Sequence, residues 1–314
     1  MYLHKNILKN LLLSLLALTQ LSCSTPTTVA SGGSTHITER VLKKKILMTG
    51  FAVAQPMQVQ DLDDIAQGLP REILRRLENS GAFLTRQSKN LLSTNLKQEM
   101  PTAKLVQQIA ADNDAQFVIA GEVRSANTRS DKKYWGLWES KTRQIEIEFA
   151  IYDGMSGVFL SRHHLLRPAE DDTKIGRDKT FGSSAFYATN FGKAIDAIIE
   201  ESSAWIRTDL AHYPMIAKII QANASQVGID AGVTSNLRVG DQGLVVADYV
   251  QLPFNGMSSQ QSQPSQYGTP QASMGKMKLI QVQYPFSVGE LAAETQSDYA
   301  KVKVGDYVRF DVQK

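Results

Sequence analysis

The 314-residue sequence has a single cysteine, Cys23, so it cannot form an intramolecular disulfide. It also lacks a strong charge imbalance, since 34 basic and 31 acidic side chains give a formal charge of +3. Without Lys5 and Lys9, which lie in the signal segment described below, this value falls to about +1. Nucleic-acid binding requires a basic surface that displaces counterions, so the composition argues against that class of function.

Residues that carry catalysis or bind metals are scarce or poorly spaced. The five histidines include no pair at the i, i+4 spacing of a helical zinc site. His163 and His164 are neighbours on a predicted strand, so they point to opposite faces and cannot chelate one ion together. Glu146 and Glu148 share a strand face and would suit an acid–base pair, but a solvated strand face is the favoured interpretation. The sequence therefore predicts no enzyme, no cofactor site and no metal site.

The N-terminus has the order of a secretory signal: a small positive head, the apolar stretch 11–18, and then small polar residues. A membrane-spanning helix needs about 20 apolar residues, and neither this stretch nor any later one approaches that length. We interpret residues 1–22 as a signal peptide. The mature chain is expected to be soluble apart from any lipid.

Cys23 follows the apolar stretch directly, in a pattern that resembles a bacterial lipoprotein box. We interpret it as a lipidated residue, with residues 23–42, rich in Ser, Thr, Gly and Pro, as a flexible tether. By the same resemblance, Ser24 directs the anchor to the outer membrane. The alternative is cleavage after Ala30 by the ordinary signal peptidase, which would remove the cysteine.

Residues 43–212 combine strand and helix patterns. Apolar runs at 45–53, 81–85 and 116–123 predict buried strands, and alternation over 144–151 predicts a half-exposed strand whose hairpin partner returns at 157–162. A long amphipathic helix follows, with an apolar stripe formed by Phe191, Ile195, Ile198, Ile199, Ser202, Ile206 and Leu210. The order of elements predicts an α+β domain, a mixed sheet with helices on one face.

Helices are predicted between the first strands. Residues 61–67 form a helical turn, and Pro70 begins the next helix because proline suits a first turn. Thr102 caps a further helix, which directs three apolar side chains inward: Leu105, Val106 and Ile109.

Residues 213–314 form a small β-rich, barrel-like domain that begins near Pro214. Its predicted strands are short and lie at 216–221, 226–230, 243–249, 276–284 and 307–312. Val-Gly-Asp occurs at 239–241 and again at 304–306, each time before an apolar strand, which predicts one turn geometry used twice. Residues 257–273 are rich in Ser, Gln, Gly and Pro and predict a disordered insertion.

Tyr134, Trp135 and Trp138 form an aromatic cluster between two strand patterns. They are a candidate partner-binding patch, because aromatic side chains dominate the energetics of protein interfaces. The alternative is that they cover the edge of the core.

Six segments, in order along the chain, resemble the flagellar assembly protein T family. They are GLPREILRRLE (68–78), AQFVIAGEVR (115–124), YDGMSG (152–157), SRH (161–163), FGSSAF (181–186) and IDAG (229–232). This resemblance implies a middle domain similar to the N-terminal domain of TolB, a small β-rich C-terminal domain and no catalytic residues. Before residue 43 we expect only the predicted tether, where members of the family have a separate N-terminal domain.

The resemblance also implies a function. Members of this family build the outer rings (H ring) around the flagellar basal body and help to recruit the stator-associated ring proteins MotX and MotY. We therefore expect a periplasmic, outer-membrane-anchored protein that binds other ring proteins and is needed for ring assembly and motility. The alternative is an envelope lipoprotein with a TolB-like domain that binds a partner or activates a cell-wall enzyme.

Overall fold

The computed structural model describes residues 40–311 with the exception of 94, 96, 97, 99, 134–137, 171–174, 177, 224, 248–272 and 293–301. The predicted signal peptide, Cys23 and most of the predicted tether lie outside the described residues, as does nearly all of the insertion predicted at 257–273. The described residues belong to one compact unit. Its division into two domains at residues 212 and 213 stays a prediction.

An open sheet and its helices, called here the α+β part, occupy residues 44–211. The elements are β1 (Lys44–Val53), α1 (Ile65–Asn79), β2 (Phe83–Gln87), α2 (Ala103–Asp112), β3 (Phe117–Ser125), β4 (Thr128–Lys133), β5 (Trp138–Asp153), β6 (Phe159–Glu170), α3 (Ser184–Tyr187) and α4 (Asn190–Ala211). The strand order is β2-β1-β3-β5-β4, and β6 pairs with the other side of β5. β1 runs parallel to β2 and β3, while the other pairs are antiparallel. The predicted α+β class with a mixed sheet is confirmed.

Helices cover both faces of this sheet. The long helices α1 and α4 pack on one face in a shared core that includes Ile73 and Ile198. The shorter α2 packs on the opposite face, where Val106 and Ala110 contact a second cluster. The prediction had placed the helices on one face. A second layer is needed because consecutive residues of β1, Ile46 to Met48, are all apolar, so both faces of the central strands must be covered.

Helix α1 is a single helix where the sequence suggested a separate turn and a later start. Pro70 lies inside it, in the second turn. The proline removes only the hydrogen bond to the carbonyl of Ala66, and the fully buried Leu69 and Ile73 on either side keep the helix continuous.

Helix α2 begins at the predicted cap, since Thr102 Oγ1 accepts a hydrogen bond from the N–H of Leu105 at 3.3 Å. The inward face is rotated relative to the prediction. Val106 and Ala110 are buried, whereas Leu105 is exposed. Ile109 is partly buried against the apolar cluster that α2 covers, as predicted.

The predicted β5–β6 hairpin is present. The Asp153 carboxylate accepts hydrogen bonds from the N–H groups of Met155 at 3.4 Å and Ser156 at 3.1 Å. Gly157 has a φ of +71°, and a Cβ at this position would lie 2.3 Å from the carbonyl oxygen of Ala103. Only glycine fits this turn without displacing the start of α2.

The second part of the chain is a closed barrel. Its strands are β7 (Met215–Ala222), β8 (Gln226–Ile229), β9 (Gln242–Val246), β10 (Ser273–Val282), β11 (Ser287–Leu291) and β12 (Tyr307–Phe310). They pair antiparallel in the order β10-β11-β8-β7-β12-β9, and β9 closes onto β10. The predicted barrel-like class is confirmed, with β11 as a strand that the sequence patterns did not indicate.

The two Val-Gly-Asp segments form the same turn, as predicted. The N–H of Asp241 donates to the carbonyl of Arg238 at 3.1 Å, and the N–H of Arg238 donates back to the Asp241 carboxylate at 2.8 Å. Asp306 and Lys303 repeat both hydrogen bonds, at 3.1 and 2.8 Å. The turns lead into β9 and β12, which are neighbours in the barrel.

A polar junction joins the α+β part to the barrel. Lys45 Nζ, at the start of β1, lies 2.9 Å from carboxylate oxygens of both Asp114 and Asp230. Close by, the Gln116 side chain donates to the carbonyl of Pro214 at 2.7 Å and accepts from the N–H of Ile216 at 3.2 Å. These contacts tie β1 and the start of β3 to the first barrel strands.

Candidate assembly surface

Strand β6 forms one edge of the open sheet. It pairs with β5, and no second strand pairs with it among the described residues. Gln144 of β5 lies opposite Pro168 of β6. The N–H of Gln144 points away from β6 and donates to the carbonyl of Asn127 at 2.8 Å. Gln144 and Pro168 therefore form a non-hydrogen-bonded pair, and the backbone of Pro168, which has no N–H, points away from β5.

The same alternation sets the direction of the other backbone groups of β6. Because successive residues of an antiparallel strand point to opposite sides, Arg162, His164 and Leu166 direct their N–H and C=O groups toward the outer edge. The carbonyl of Leu166 accepts a hydrogen bond from Arg167 Nη1 at 3.0 Å, as expected for a group outside the β5 ladder. A sheet edge of this kind can accept a strand from another protein.

An exposed tryptophan lies beside this edge. The ring of Trp205 on α4 stacks on His163 of β6, with centroids 4.9 Å apart, and His163 in turn contacts Phe149, at 5.1 Å. His163 Nε2 is also 2.6 Å from the Asp209 carboxylate, one helical turn after Trp205. The indole is thus fixed in place while 42% of the residue stays exposed, which is the arrangement of an interface anchor.

The group around His163 does not form a nucleophilic triad. Ser161 Oγ donates to the same Asp209 oxygen that His163 contacts. A triad requires the histidine to take a proton from the serine while the carboxylate holds the other ring nitrogen. Here the serine and the histidine both bind the carboxylate, so the contacts position the β6 edge on α4.

Glu146 and Glu148 lie on the opposite face of β5 in a network of ion pairs. Glu148 is only 4% exposed and pairs with Arg124 and with Arg162, whose Nε lies 3.3 Å away. Glu146 contacts His164 Nε2 at 2.8 Å, and this hydrogen bond lowers the pKa of Glu146. The predicted solvated face is therefore wrong for Glu148. Both carboxylates tie β3, β5 and β6 together, and the lowered pKa of Glu146 is the opposite of what a general acid needs.

The aromatic patch predicted from the sequence lies almost entirely outside the described residues. Tyr134 and Trp135 are not among them. Trp138 begins β5 opposite Lys133 of β4, and only its backbone is described. The patch falls at the connection between two paired strands, and its role in binding stays a prediction.

Sequence reasoning missed Trp205, although a signal for it exists. Trp205 precedes Ile206 of the apolar stripe and lies at the margin of that stripe, on the same side of α4 as the buried Ile198 two turns earlier. A tryptophan at the margin of a buried helix face can contact both the core and a partner, which is a signal that the sequence contains.

The described residues show no grouping of three or more His, Cys, Asp or Glu side chains that could hold a metal ion. Within the same part of the chain, no helix combines the length and apolar character needed to cross a bilayer. The described residues form an open sheet whose edge strand β6 pairs on one side, joined to a closed barrel, and charged clusters hold the sheet strands together.

Part of the chain matches a known protein family. Residues 36–170 match the family model described as flagellar assembly protein T, middle domain. This match confirms the resemblance drawn from the sequence over that stretch, and the family is one of assembly proteins rather than enzymes. A search of curated proteins gave no match.

Solved structures give more distant similarities, each over about half of the chain. The hypothetical protein CT253 from Chlamydia trachomatis is 17% identical over 54% of this chain and 96% of that chain, with a TM-score of 0.39. The PelC dodecamer from Paraburkholderia phytofirmans is 11% identical over 51% of this chain and 91% of that chain, with a TM-score of 0.31. Lipoprotein GNA1162 from Neisseria meningitidis is 11% identical over 51% of this chain and 99% of that chain, also with a TM-score of 0.31.

Proposed function

We propose that this chain is a structural component of the flagellar basal-body ring in the periplasm, needed for ring assembly and motility. The family match over residues 36–170 supports the flagellar setting. The observation that carries the assembly role is the free edge of β6 beside the exposed Trp205.

In this proposal a neighbouring ring protein adds a strand to the outer edge of β6. Main-chain hydrogen bonds to His164 and Leu166 provide affinity, and the Trp205 ring buries apolar surface against the same neighbour. The neighbours are other flagellar ring proteins, including stator-associated ring proteins of the MotX and MotY type.

The proposal includes an outer-membrane anchor on Cys23. Metabolic labelling with a palmitate analogue should give a labelled protein in the outer-membrane fraction, and Cys23→Ser should abolish both the label and the fractionation. An unlabelled, soluble periplasmic parent protein would show that the cysteine is removed with the signal, and would leave the ring proposal standing without its anchor.

The assembly role is tested in a deletion strain complemented with variants, by electron microscopy of basal bodies and swimming assays on the same cells. Leu166→Pro removes an outward N–H without breaking the β5 ladder, so we expect normal protein levels with loss of the ring and of swimming. Leu166→Ala, which trims the side chain and keeps the N–H, is the matched control and should retain most assembly.

The aromatic anchor has its own matched pair. Trp205→Ala should weaken ring retention, whereas Tyr284→Ala, at an exposed aromatic of the barrel, should not. Intact rings and normal swimming in the deletion strain would overturn the flagellar proposal, and would favour an envelope lipoprotein with a different partner.

A further inference from the structure

An apolar cavity of about 380 Å³ lies beside the first residues of β1, between the α+β part and the barrel. Its walls include three buried apolar side chains, Phe83 of β2, Met215 of β7 and Phe310 of β12. Small-molecule sites typically enclose about 300–1,000 Å³ behind mostly apolar walls. The cavity is therefore large enough to bury a hydrocarbon chain.

The charge around this cavity has one sign. Arg40, Lys44 and Arg207 line it, and no acidic side chain is among the described residues that do so. Arg40 is paired with Asp241 at 2.6 Å. Arg207 forms an ion pair with Glu200, in which Nη2 and Oε1 are 3.8 Å apart. This distance is too long for a hydrogen bond, so the guanidinium can still donate hydrogen bonds to a second anion.

Lys44 adds a second attraction for an anion. Its Nζ donates to the carbonyl oxygens of Leu210 at 2.5 Å and Ala211 at 3.4 Å, at the C-terminal end of α4. Burial lowers the pKa of Lys44 to about 8. A negative group nearby would favour the protonated lysine, because an opposite charge offsets part of the desolvation cost.

We propose that this cavity binds the hydrocarbon chain of a fatty acid, whose carboxylate lies against Arg207 and Lys44. A purely apolar ligand would place no negative charge beside these cations, and a small anion would leave the apolar walls unfilled. A single-chain amphiphile with a carboxylate satisfies both. The proposal does not depend on the ring function.

The test uses the purified full chain and a fluorescent fatty acid, dansyl-undecanoic acid. We expect saturable binding of the probe and its displacement by palmitate. Hexadecanol has a chain of the same length but no charge, so its affinity should be at least about tenfold lower, as expected for the loss of a hydrogen bond to a charged group. Absence of saturable binding would overturn the proposal. Equal displacement by palmitate and hexadecanol would overturn the assignment of the cations.

Two pairs of variants on α4 place the ligand. Arg207→Ala should weaken palmitate binding about tenfold, while Lys193→Ala, an exposed cation of the same helix, should not. Ala211 is exposed yet lines the cavity, so Ala211→Phe should block binding without disturbing the core, and Ala197→Phe is its control. Unchanged folding of each variant is checked by circular dichroism. Equal affinities within both pairs would show that the probe binds elsewhere and would refute the site.

Discussion

The junction between the α+β part and the barrel gives the sharpest energetic expectation. Lys45 Nζ lies 2.9 Å from oxygens of both Asp114 and Asp230, and it also donates to the backbone carbonyl of Asp230 at 3.0 Å. Burial raises the pKa of Asp230, the neighbouring Asp114 carboxylate raises it further, and the attraction of Lys45 offsets only part of this rise. The pair therefore fixes the geometry of the junction at a desolvation cost that its Coulomb attraction does not fully offset.

Lys45→Met should lower the free energy of unfolding by about 2–4 kcal/mol, because it leaves the two carboxylates together without their ammonium. Most of this loss should come from the ion pair with Asp230, because the Asp230 side chain is only 18% exposed. The Asp114 side chain is 43% exposed, so its ion pair with Lys45 contributes only about 0–1 kcal/mol. The double variant Lys45→Met/Asp230→Asn removes both buried charges. It should lie within about 1 kcal/mol of the parent.

The assay is a double-mutant cycle in urea, with unfolding followed by fluorescence and circular dichroism. We expect a Lys45–Asp230 coupling of about 1.5–3 kcal/mol and a Lys45–Asp114 coupling below about 1 kcal/mol. Additive effects of Lys45→Met and Asp230→Asn, or a larger coupling to Asp114, would refute this account of the junction.

Three further expectations follow from other buried groups. Arg143→Met should cost about 3 kcal/mol in a urea titration, because Asp61 loses a bidentate partner at 2.6 and 2.8 Å; a loss below about 1 kcal/mol would contradict this. The lowered pKa of Lys44 means that the unfolded state binds more protons between pH 8 and 10.5, so stability should rise with pH there, and Lys44→Met should flatten that rise. Gly121→Ala would place a Cβ 2.2 Å from the Phe51 ring, and should lower stability by about 1–3 kcal/mol; an unchanged unfolding midpoint would show that the ring moves freely.

Much of the fold was predictable because its elements have a clear period. The apolar stripe of α4 and the alternation over residues 144–151 each repeat long enough to fix both the type of element and its buried face. The errors occur where the signal is short. Pro70 suggested a helix start because only the residues before a proline show whether it lies in the first turn of a helix or further inside. Strand β11 gave no clear pattern because it has five residues with a glycine at its centre.

The candidate surface was less predictable because it depends on pairing rather than on composition. Nothing in the sequence around Glu148 distinguishes a solvated strand face from a buried one, since the arginines that pair with it come from two other strands. Likewise, the outward direction of the Leu166 backbone follows only from the register that sets Gln144 opposite Pro168.

The same register limits what the β6 edge can bind. Pro168 has no N–H to offer, and the carbonyl of Leu166 is already bonded to Arg167, so a partner strand finds its donors and acceptors mainly between residues 162 and 166. Such a short strand pairing is weak by itself, which protects the isolated protein from edge-to-edge aggregation. In a closed ring each subunit is held by two neighbours at once, so dissociation requires both contacts to break and modest pairings give a stable assembly. A short accessible edge beside a fixed tryptophan is therefore consistent with the proposed role, in which the subunit stays separate until it joins a ring.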